Sequence, residues 1–175
     1  KSYITDQPVA DAIMDRVPVT LELALLATVF AALIGVPLGA LCAYREGKRV
    51  DKAATAFMTA GLSVPSFLVG IFLIWLFTLK FRWLPSSGWV RITTKGIAAN
   101  LKTAVLPALS LAFAPLAINA RLVRADMIGT LKENYILSAR AKGLRNRYIL
   151  FRHALRPSSL TALTVLGLQL GALIG

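Results

Sequence analysis

Four long apolar segments, separated by basic stretches, restrict what this 175-residue chain can fold into. The segments cover residues 19–44, 57–79, roughly 103–120 and 158–175, and we call them spans a to d in that order. A helix needs about 20 apolar residues to cross the hydrocarbon core of a bilayer. In lipid, a helix also satisfies its own backbone hydrogen bonds. The sequence therefore predicts an all-α fold, a polytopic membrane helical bundle with about four spans.

Apolar and charged residues are strongly segregated along the chain. Hydrophobic residues make up 57% of the sequence, yet the formal net charge is +12. We expect residues 1–175 to form a single transmembrane domain. We also expect them to be an internal part of a longer membrane protein, because the sequence starts without Met and stops inside an apolar segment. The one cysteine, Cys42, is expected to be a buried thiol, and no Cys/His cluster suggests a metal site.

The distribution of Lys and Arg predicts the orientation of the spans. The a–b and c–d connections must face the same side, and together they carry thirteen of these cations. The opposite side carries seven, namely Lys1, Arg16, Lys80, Arg82, Arg91, Lys95 and Lys102. Because cytoplasmic loops are enriched in Lys and Arg, we place the a–b and c–d connections in the cytoplasm. Such a basic surface also attracts anionic lipid, which is an alternative reason for its charge.

Within the c–d connection, residues 126–157 have the pattern of a cytoplasmic coupling loop with two short helices. Gly143 fits a helix-terminating position, where a left-handed backbone is easiest for glycine. After Gly143, an apolar stripe follows at helical spacing, which predicts the second helix. Pro157 is expected to start the next element. The stripe residues are Leu144, Tyr148, Phe151 and Leu155. Such a helix can dock into a groove on a partner protein. Alternatively, it packs on its own chain or lies flat on lipid.

Two strings in this loop, YILSARAKGL at 135–144 and RHALR at 152–156, resemble the cytoplasmic loop of ABC importer permeases. The general family pattern is EAA, three residues, Gly, nine residues and then I-x-L-P. With its glycine placed at Gly143, Ala139 and Leu155 match, and the departures are at Leu137, Ser138, His153 and Arg156. These departures suit the dipeptide/oligopeptide/nickel branch. Residues 20–39, 61–70, 105–117 and 120–125 also resemble that branch, so the resemblance covers nearly the whole chain.

The resemblance implies the transmembrane subunit of an ATP-driven importer of small peptides, in the inner membrane of a prokaryote. Nickel or another small solute is the alternative substrate. Such permeases have around six spans, and these residues would cover the second to the start of the fifth. The implied partners are a second homologous permease, two cytoplasmic ATPase subunits and an extracytoplasmic solute-binding protein. The ATPases would bind ATP and Mg, and this chain would hold no cofactor of its own.

The resemblance also implies which residues couple to the ATPase, through the 131–157 loop. Tyr135 and Leu155 would make apolar contacts, Ala139 would permit close approach, and Gly143 would set the turn. Arg140 and Lys142 would pair with acidic groups. The full set is Tyr135, Ala139, Arg140, Lys142, Gly143, Leu144, His153 and Leu155. We expect His153 to have a structural role.

The sequence suggests no catalytic residues. Gly47-Lys48 is followed by Arg49 and lacks the upstream glycine of a phosphate-binding loop, so we expect the energy to come from a partner. We predict that closure of the ATPase pair moves residues 135–143 as a rigid lever, which rocks spans b, c and d.

The solute pathway is harder to derive from the sequence. Small residues and a proline in span b are consistent with a moving, pore-lining helix, and ordinary helix packing explains them equally well. The candidate pathway residues are Ser63, Pro65, Ser66 and Asn119. An interhelical hydrogen bond is the alternative for Asn119 and for Gln169. Glu22 is expected near the start of span a, within reach of water.

Two other classes of protein fit the sequence less well. A secondary transporter would need ionisable groups at the midplane, and these are scarce. A scaffold could bind anionic lipid or RNA through the mixed basic and aromatic residues Arg147, Tyr148, Phe151 and Arg152. However, the loop is a poor platform for nucleic acid because it has few residues on which bases could stack.

Overall fold

The computed structural model describes residues 9–86, 88–90 and 96–175, with side chains described from Ile13 onward. All regular structure within these residues is helical, and none of them lies in a strand. The helices are α1 (Val9–Tyr44), α2 (Arg49–Leu62), α3 (Ser66–Ile74), α4 (Ile97–Leu131), α5 (Asn134–Ala141), α6 (Asn146–Tyr148) and α7 (Arg156–Ile174). A π-helical stretch, Trp75–Lys80, extends α3, and a second one, Ile149–Leu155, joins α6 to α7. The predicted all-α fold is confirmed.

Three helical stretches are long and apolar enough to cross a membrane: Ile13–Tyr44, Ile97–Leu131 and Asn146–Ile174. They correspond to spans a, c and d, and each is longer than the apolar segment that predicted it. The charged ends of these helices continue past the apolar part, because helical hydrogen bonding does not require apolar side chains. Pro107 and Pro115 lie inside α4 without ending it. Lys1, Arg91 and Lys95, which entered the orientation argument, lie outside the described residues.

Span b is not one straight helix: at Pro65, where the sequence allowed a kink, the helix is fully broken. Arg49–Leu62 and Ser66–Lys80 meet at an angle of 107°. Pro65 has no N–H to donate and disfavours a helical conformation at Val64. The last turn of α2 therefore ends in two tight hydrogen bonds that each span three residues. The Ser63 N–H donates to Ala60 O at 3.0 Å, and the Val64 N–H donates to Gly61 O at 3.2 Å. Counted as one broken span, this pair brings the total among the described residues to four.

Helices α1 and α4 pack closely through two glycines of α1. A Cβ atom on Gly35 would lie 2.8 Å from the carbonyl oxygen of Leu116, and one on Gly39 would lie 2.9 Å from Cβ of Val123. Glycine is required at both sites because the obstacle is the body of the facing helix. Small buried residues continue the contact toward the ends of the helices that carry the 126–157 loop, in a cluster of Ala40, Ala43, Val123, Met127, Ala154 and Ala162. Small residues of this kind let membrane helices approach one another.

Candidate functional site: the 126–157 loop and the α2–α4 groove

The turn after α5 has the geometry that the sequence predicted for Gly143. Its φ is +75°, a left-handed conformation that favours glycine. The Leu144 N–H donates to Ala139 O at 3.2 Å and the Gly143 N–H donates to Arg140 O at 2.9 Å. This pair of bonds is a Schellman motif, which satisfies carbonyls at the end of the helix. A Cβ on Gly143 would meet nothing within 4 Å, so the backbone conformation alone makes glycine necessary.

One side of α5 is fixed to its own chain. Ile136 is fully buried and Ala139 is 7% exposed, and both pack with Ile149 and Leu131. The structure thus places the small side chain of Ala139 against α4 and the second helix of the loop. The close approach of an ATPase predicted at Ala139 stays a prediction.

Pro157 lies in the first turn of α7, as predicted, although no break separates α7 from the helix before it. Residues Asn146–Ile174 are continuous helix, with π geometry just before α7. Because Pro157 lacks an N–H, the carbonyl of His153 has no α-helical donor. The Tyr135 hydroxyl donates to that carbonyl at 3.2 Å and so joins α5 to the second helix. Tyr135 therefore has a polar role in addition to the apolar contact that was predicted. The ring of His153 lies edge-on to Tyr148, with 5.5 Å between ring centroids.

The other side of the loop is an exposed apolar surface among cations, which we call the loop face. Its apolar members are Tyr135, Leu137, Leu144, Tyr148 and Phe151, with Phe151 63% exposed. The exposed cations around them are Arg140, Lys142, Arg145, Arg147 and Arg152. The predicted stripe thus lies mostly on the surface. Leu155 is the exception, because it is half-buried and packs against the buried cluster that contains Val123 and Ala154. Large exposed apolar side chains grouped in this way are typical of a binding surface.

An ion pair between the buried Asp51 and the partly exposed Arg124 connects α2 to α4, and it was not predicted from the sequence. Arg124 donates from Nε to Asp51 Oδ1 at 2.6 Å and from Nη2 to Asp51 Oδ2 at 2.8 Å. Asp51 is 2% exposed, and it also accepts from the Gly47 N–H at 2.9 Å. We call this arrangement the Asp51–Arg124 clamp. A carboxylate in the first turn of a helix, just after a glycine turn, was the available signal.

The candidate pathway residues lie in three different places. Ser63 and Pro65 are exposed at the break between α2 and α3, and Ser63 lines a cavity of about 670 Å³ between α2 and α4. Ser66 lines a separate cavity of about 550 Å³, together with Trp89 and Ser110. Asn119 is fully buried and lines neither cavity.

Asn119 and Glu22 each make a hydrogen bond to a distant part of the chain. Asn119 Nδ2 donates to Gln169 Oε1 at 2.7 Å, so it makes the interhelical bond that was its alternative interpretation. Glu22 lies three residues after the start of span a, inside α1, which begins earlier, at Val9. Its Oε2 accepts from Trp89 Nε1 at 3.0 Å. The connection between α3 and α4 is thereby attached to α1.

The geometry defines an all-α membrane protein that crosses the bilayer several times and carries an exposed apolar and basic loop face. The chain belongs to the family described as binding-protein-dependent transport system inner membrane component, whose profile matches residues 35–175. This result confirms the resemblance that the loop strings suggested.

Three characterised relatives show how far the similarity extends. The chain is 38% identical over 162 residues to the oligopeptide transport system permease protein OppB of Salmonella typhimurium, covering 93% of this chain and 51% of the relative. It is 36% identical over 169 residues to the oligopeptide transport system permease protein AppB of Bacillus subtilis, covering 96% and 54%. It is 33% identical over 174 residues to the glutathione transport system permease protein GsiC of Shigella flexneri, covering 99% and 54%. The chain thus spans about half the length of the relatives it matches.

Proposed function

We propose that this chain is part of the transmembrane subunit of an ATP-driven importer of small peptides in a prokaryotic inner membrane. Its partners are two cytoplasmic ATPase subunits, which bind ATP and Mg, a second homologous permease and an extracytoplasmic solute-binding protein. Family membership supports the type of transporter, and the names of the relatives support a peptide substrate.

The loop face is the single observation that carries the proposed coupling to the ATPase. Three features hold this face rigid: the Schellman turn at Gly143, the packing of Ile136 and Ala139, and the Tyr135–His153 hydrogen bond. The face also joins α4 and α7 with only short connections, because α4 ends at Leu131 and α5 begins at Asn134. A force applied to a rigid element attached in this way moves the helices and is not absorbed by the loop.

The chemistry of the loop face suits a groove that is apolar at its centre and acidic at its rim. Tyr148 and Phe151 supply large apolar side chains, and aromatic residues are enriched at the centres of protein interfaces. Arg140 and Lys142 are exposed beside them and can meet acidic groups. Charges at the rim mainly speed association and select the partner.

The experiment compares two substitutions at Gly143 in the full-length transporter. Gly143→Val forces a β-branched residue into a left-handed conformation, whereas Gly143→Asn places a residue that tolerates it. We expect Val to lower ATPase co-purification and peptide uptake at least tenfold, and we expect Asn to retain most of both. Because a Cβ at this position would meet nothing within 4 Å, the comparison tests mainly the backbone turn.

A third variant tests the apolar contact of the loop face with the ATPase without changing the backbone turn at Gly143. Phe151→Ser removes an exposed apolar side chain and should weaken ATPase binding while leaving thermal stability unchanged. Normal capture of the ATPase by both Gly143→Val and Phe151→Ser would refute the coupling role of the loop face. Retained ATPase binding without uptake of labelled peptides would instead refute the substrate class.

A further inference from the structure

Helix α2 follows α4 from the end near the 126–157 loop to the middle of α4. The clamp joins Asp51 to Arg124 near the end of α4. One residue before the end of α2, a Cβ on Gly61 would lie 3.0 Å from the ring of Phe113, near the centre of α4. The two helices therefore run antiparallel, and the break that follows α2 lies near the middle of the span.

One face of α2 is polar along this whole length. The polar residues of this face, at positions 52, 55, 59 and 63, recur every three or four positions, which places them on a single side of the helix. They line the cavity of about 670 Å³, which shares lining residues with a neighbouring cavity of about 440 Å³. The two cavities form one α2–α4 groove, lined by Lys52, Thr55, Thr59 and Ser63 from α2 and by Arg121 and Arg124 from α4.

This polar face reaches too deep for contact with lipid headgroups alone. From Lys52 to Ser63 a helix rises roughly 16 Å, about half of a hydrocarbon core of about 30 Å. Among the described residues, no protein group bonds the exposed hydroxyls of Thr59 and Ser63. Hydroxyls at that depth, beside a broken helix, are tolerated where they line a water-filled cavity. The groove is therefore a place for water and for a polar solute.

The mouth of the groove is positively charged. Arg124 and Asp51 neutralise each other in the clamp. Lys52 and Arg121 are exposed, and neither has an acidic partner in the part of the chain that the structure describes. Two uncompensated cations at the rim of a cleft attract anions into it.

We propose that the α2–α4 groove is the cytoplasmic half of the solute path, and that Lys52 and Arg121 make it favour solutes that carry a carboxylate. A small peptide has such a group at its C-terminus. The assignment of the groove to peptide transport rests on the proposed function. The presence of water and the charge preference rest on the groove alone.

Thiol labelling of the assembled transporter tests this proposal. Thr59→Cys is introduced into a Cys42→Ala background and exposed to methanethiosulfonate reagents, one anionic and one cationic, on the cytoplasmic side of inside-out vesicles. Leu33→Cys is the control, because Leu33 is 67% exposed on α1 but lies among apolar residues. We expect both reagents to modify Thr59→Cys, and we expect no reaction at Leu33→Cys.

The charge preference is measured as the ratio of the two reaction rates. Adding Lys52→Gln and Arg121→Gln should lower the anionic-to-cationic ratio at Thr59→Cys about fivefold, as expected for two charges within about one Debye length. Lys132→Gln, which lies outside the groove, should leave the ratio unchanged. An unreactive Thr59→Cys would overturn the aqueous path, and an unchanged ratio would overturn the anion preference.

The same preparation separates this inference from the proposed function. If the transporter captures its ATPase and imports peptide while Thr59→Cys stays unreactive, only the groove assignment is wrong. If Thr59→Cys reacts as expected but no peptide is imported, the groove is aqueous and its assignment to peptide transport is wrong.

Discussion

The contact between α1 and α4 makes Gly39 the glycine that is least tolerant of a methyl group among the described residues. The Cβ of Gly39→Ala would lie far inside contact distance of the Ala120 carbonyl oxygen and 2.9 Å from Cβ of Val123. Both obstacles belong to the helical body of α4, so no flexible side chain can move aside. The two helices must separate by roughly 1 Å, which forfeits a quarter to a half of each dispersion contact between them.

The cost of this separation can be bounded. Overpacking a tight contact costs about 1–3 kcal/mol, and we expect the upper end because the obstacle is backbone. Alanine is a better helix former than glycine by about 1 kcal/mol, which offsets part of that cost. We therefore expect Gly39→Ala to destabilise the subunit by about 2 kcal/mol, close to a 30-fold change in the unfolding equilibrium. Gly129→Ala is the matched control, because a Cβ at Gly129 meets nothing within 4 Å.

Cys42 provides the assay for this substitution. It is fully buried and packs with Met58, Ala117 and Ala120, so it reacts with a thiol reagent only when the helices part. In a detergent-solubilised subunit with Cys42 as its sole cysteine, Gly39→Ala should lower the temperature at which a thiol-reactive dye labels the protein. Gly129→Ala should leave this temperature unchanged or raise it slightly. Equal labelling temperatures for Gly39→Ala and the unmodified subunit would refute the packing argument.

Two further predictions concern hydrogen bonds of the site. Arg124→Gln leaves the carboxylate of Asp51, which is 2% exposed, without its ionic partner. It should destabilise the subunit by about 3 kcal/mol. In thermal unfolding, the double variant Arg124→Gln/Asp51→Asn should be more stable than Arg124→Gln alone, because it no longer buries an unpaired carboxylate. Tyr135→Phe removes the bond to the His153 carbonyl, worth about 1 kcal/mol, and should speed amide hydrogen exchange of α5 about fivefold. Tyr148→Phe is its control, and equal exchange in the two variants would contradict a role for this bond.

The sequence predicted the features that depend on composition and local conformation. Apolar length was sufficient to place three spans, because a bilayer sets a minimum length for a helix that crosses it. Gly143 was predictable because a left-handed turn after a helix favours glycine, whatever surrounds it. The exposed stripe of the loop was predictable as a periodic pattern, although the pattern could not tell an exposed face from a buried one.

Features that depend on which helix lies beside which could not be predicted from one sequence. Asp51 and Arg124 are far apart in the chain, and Arg124 appeared to be one more cation of a basic loop. Gly35 and Gly39 have the G-x-x-x-G spacing of close helix packing. However, Gly167 and Gly171 have the same spacing, and a Cβ at either of them meets nothing within 4 Å. The spacing therefore permits close packing without saying where it occurs.

Helix α4 explains how the loop face and the α2–α4 groove can act together. It is continuous from Ile97 to Leu131, and Arg124 lies seven residues before its end, about 10 Å along the axis. The clamp therefore attaches α2 close to the place where α5 attaches. Under the proposed coupling, a displacement of the loop face carries α4 and α2 together. Helix α3 lies beyond the break at Ser63–Pro65, so no continuous helix carries the motion of α2 into α3, and the α2–α4 groove moves as a unit with the loop face.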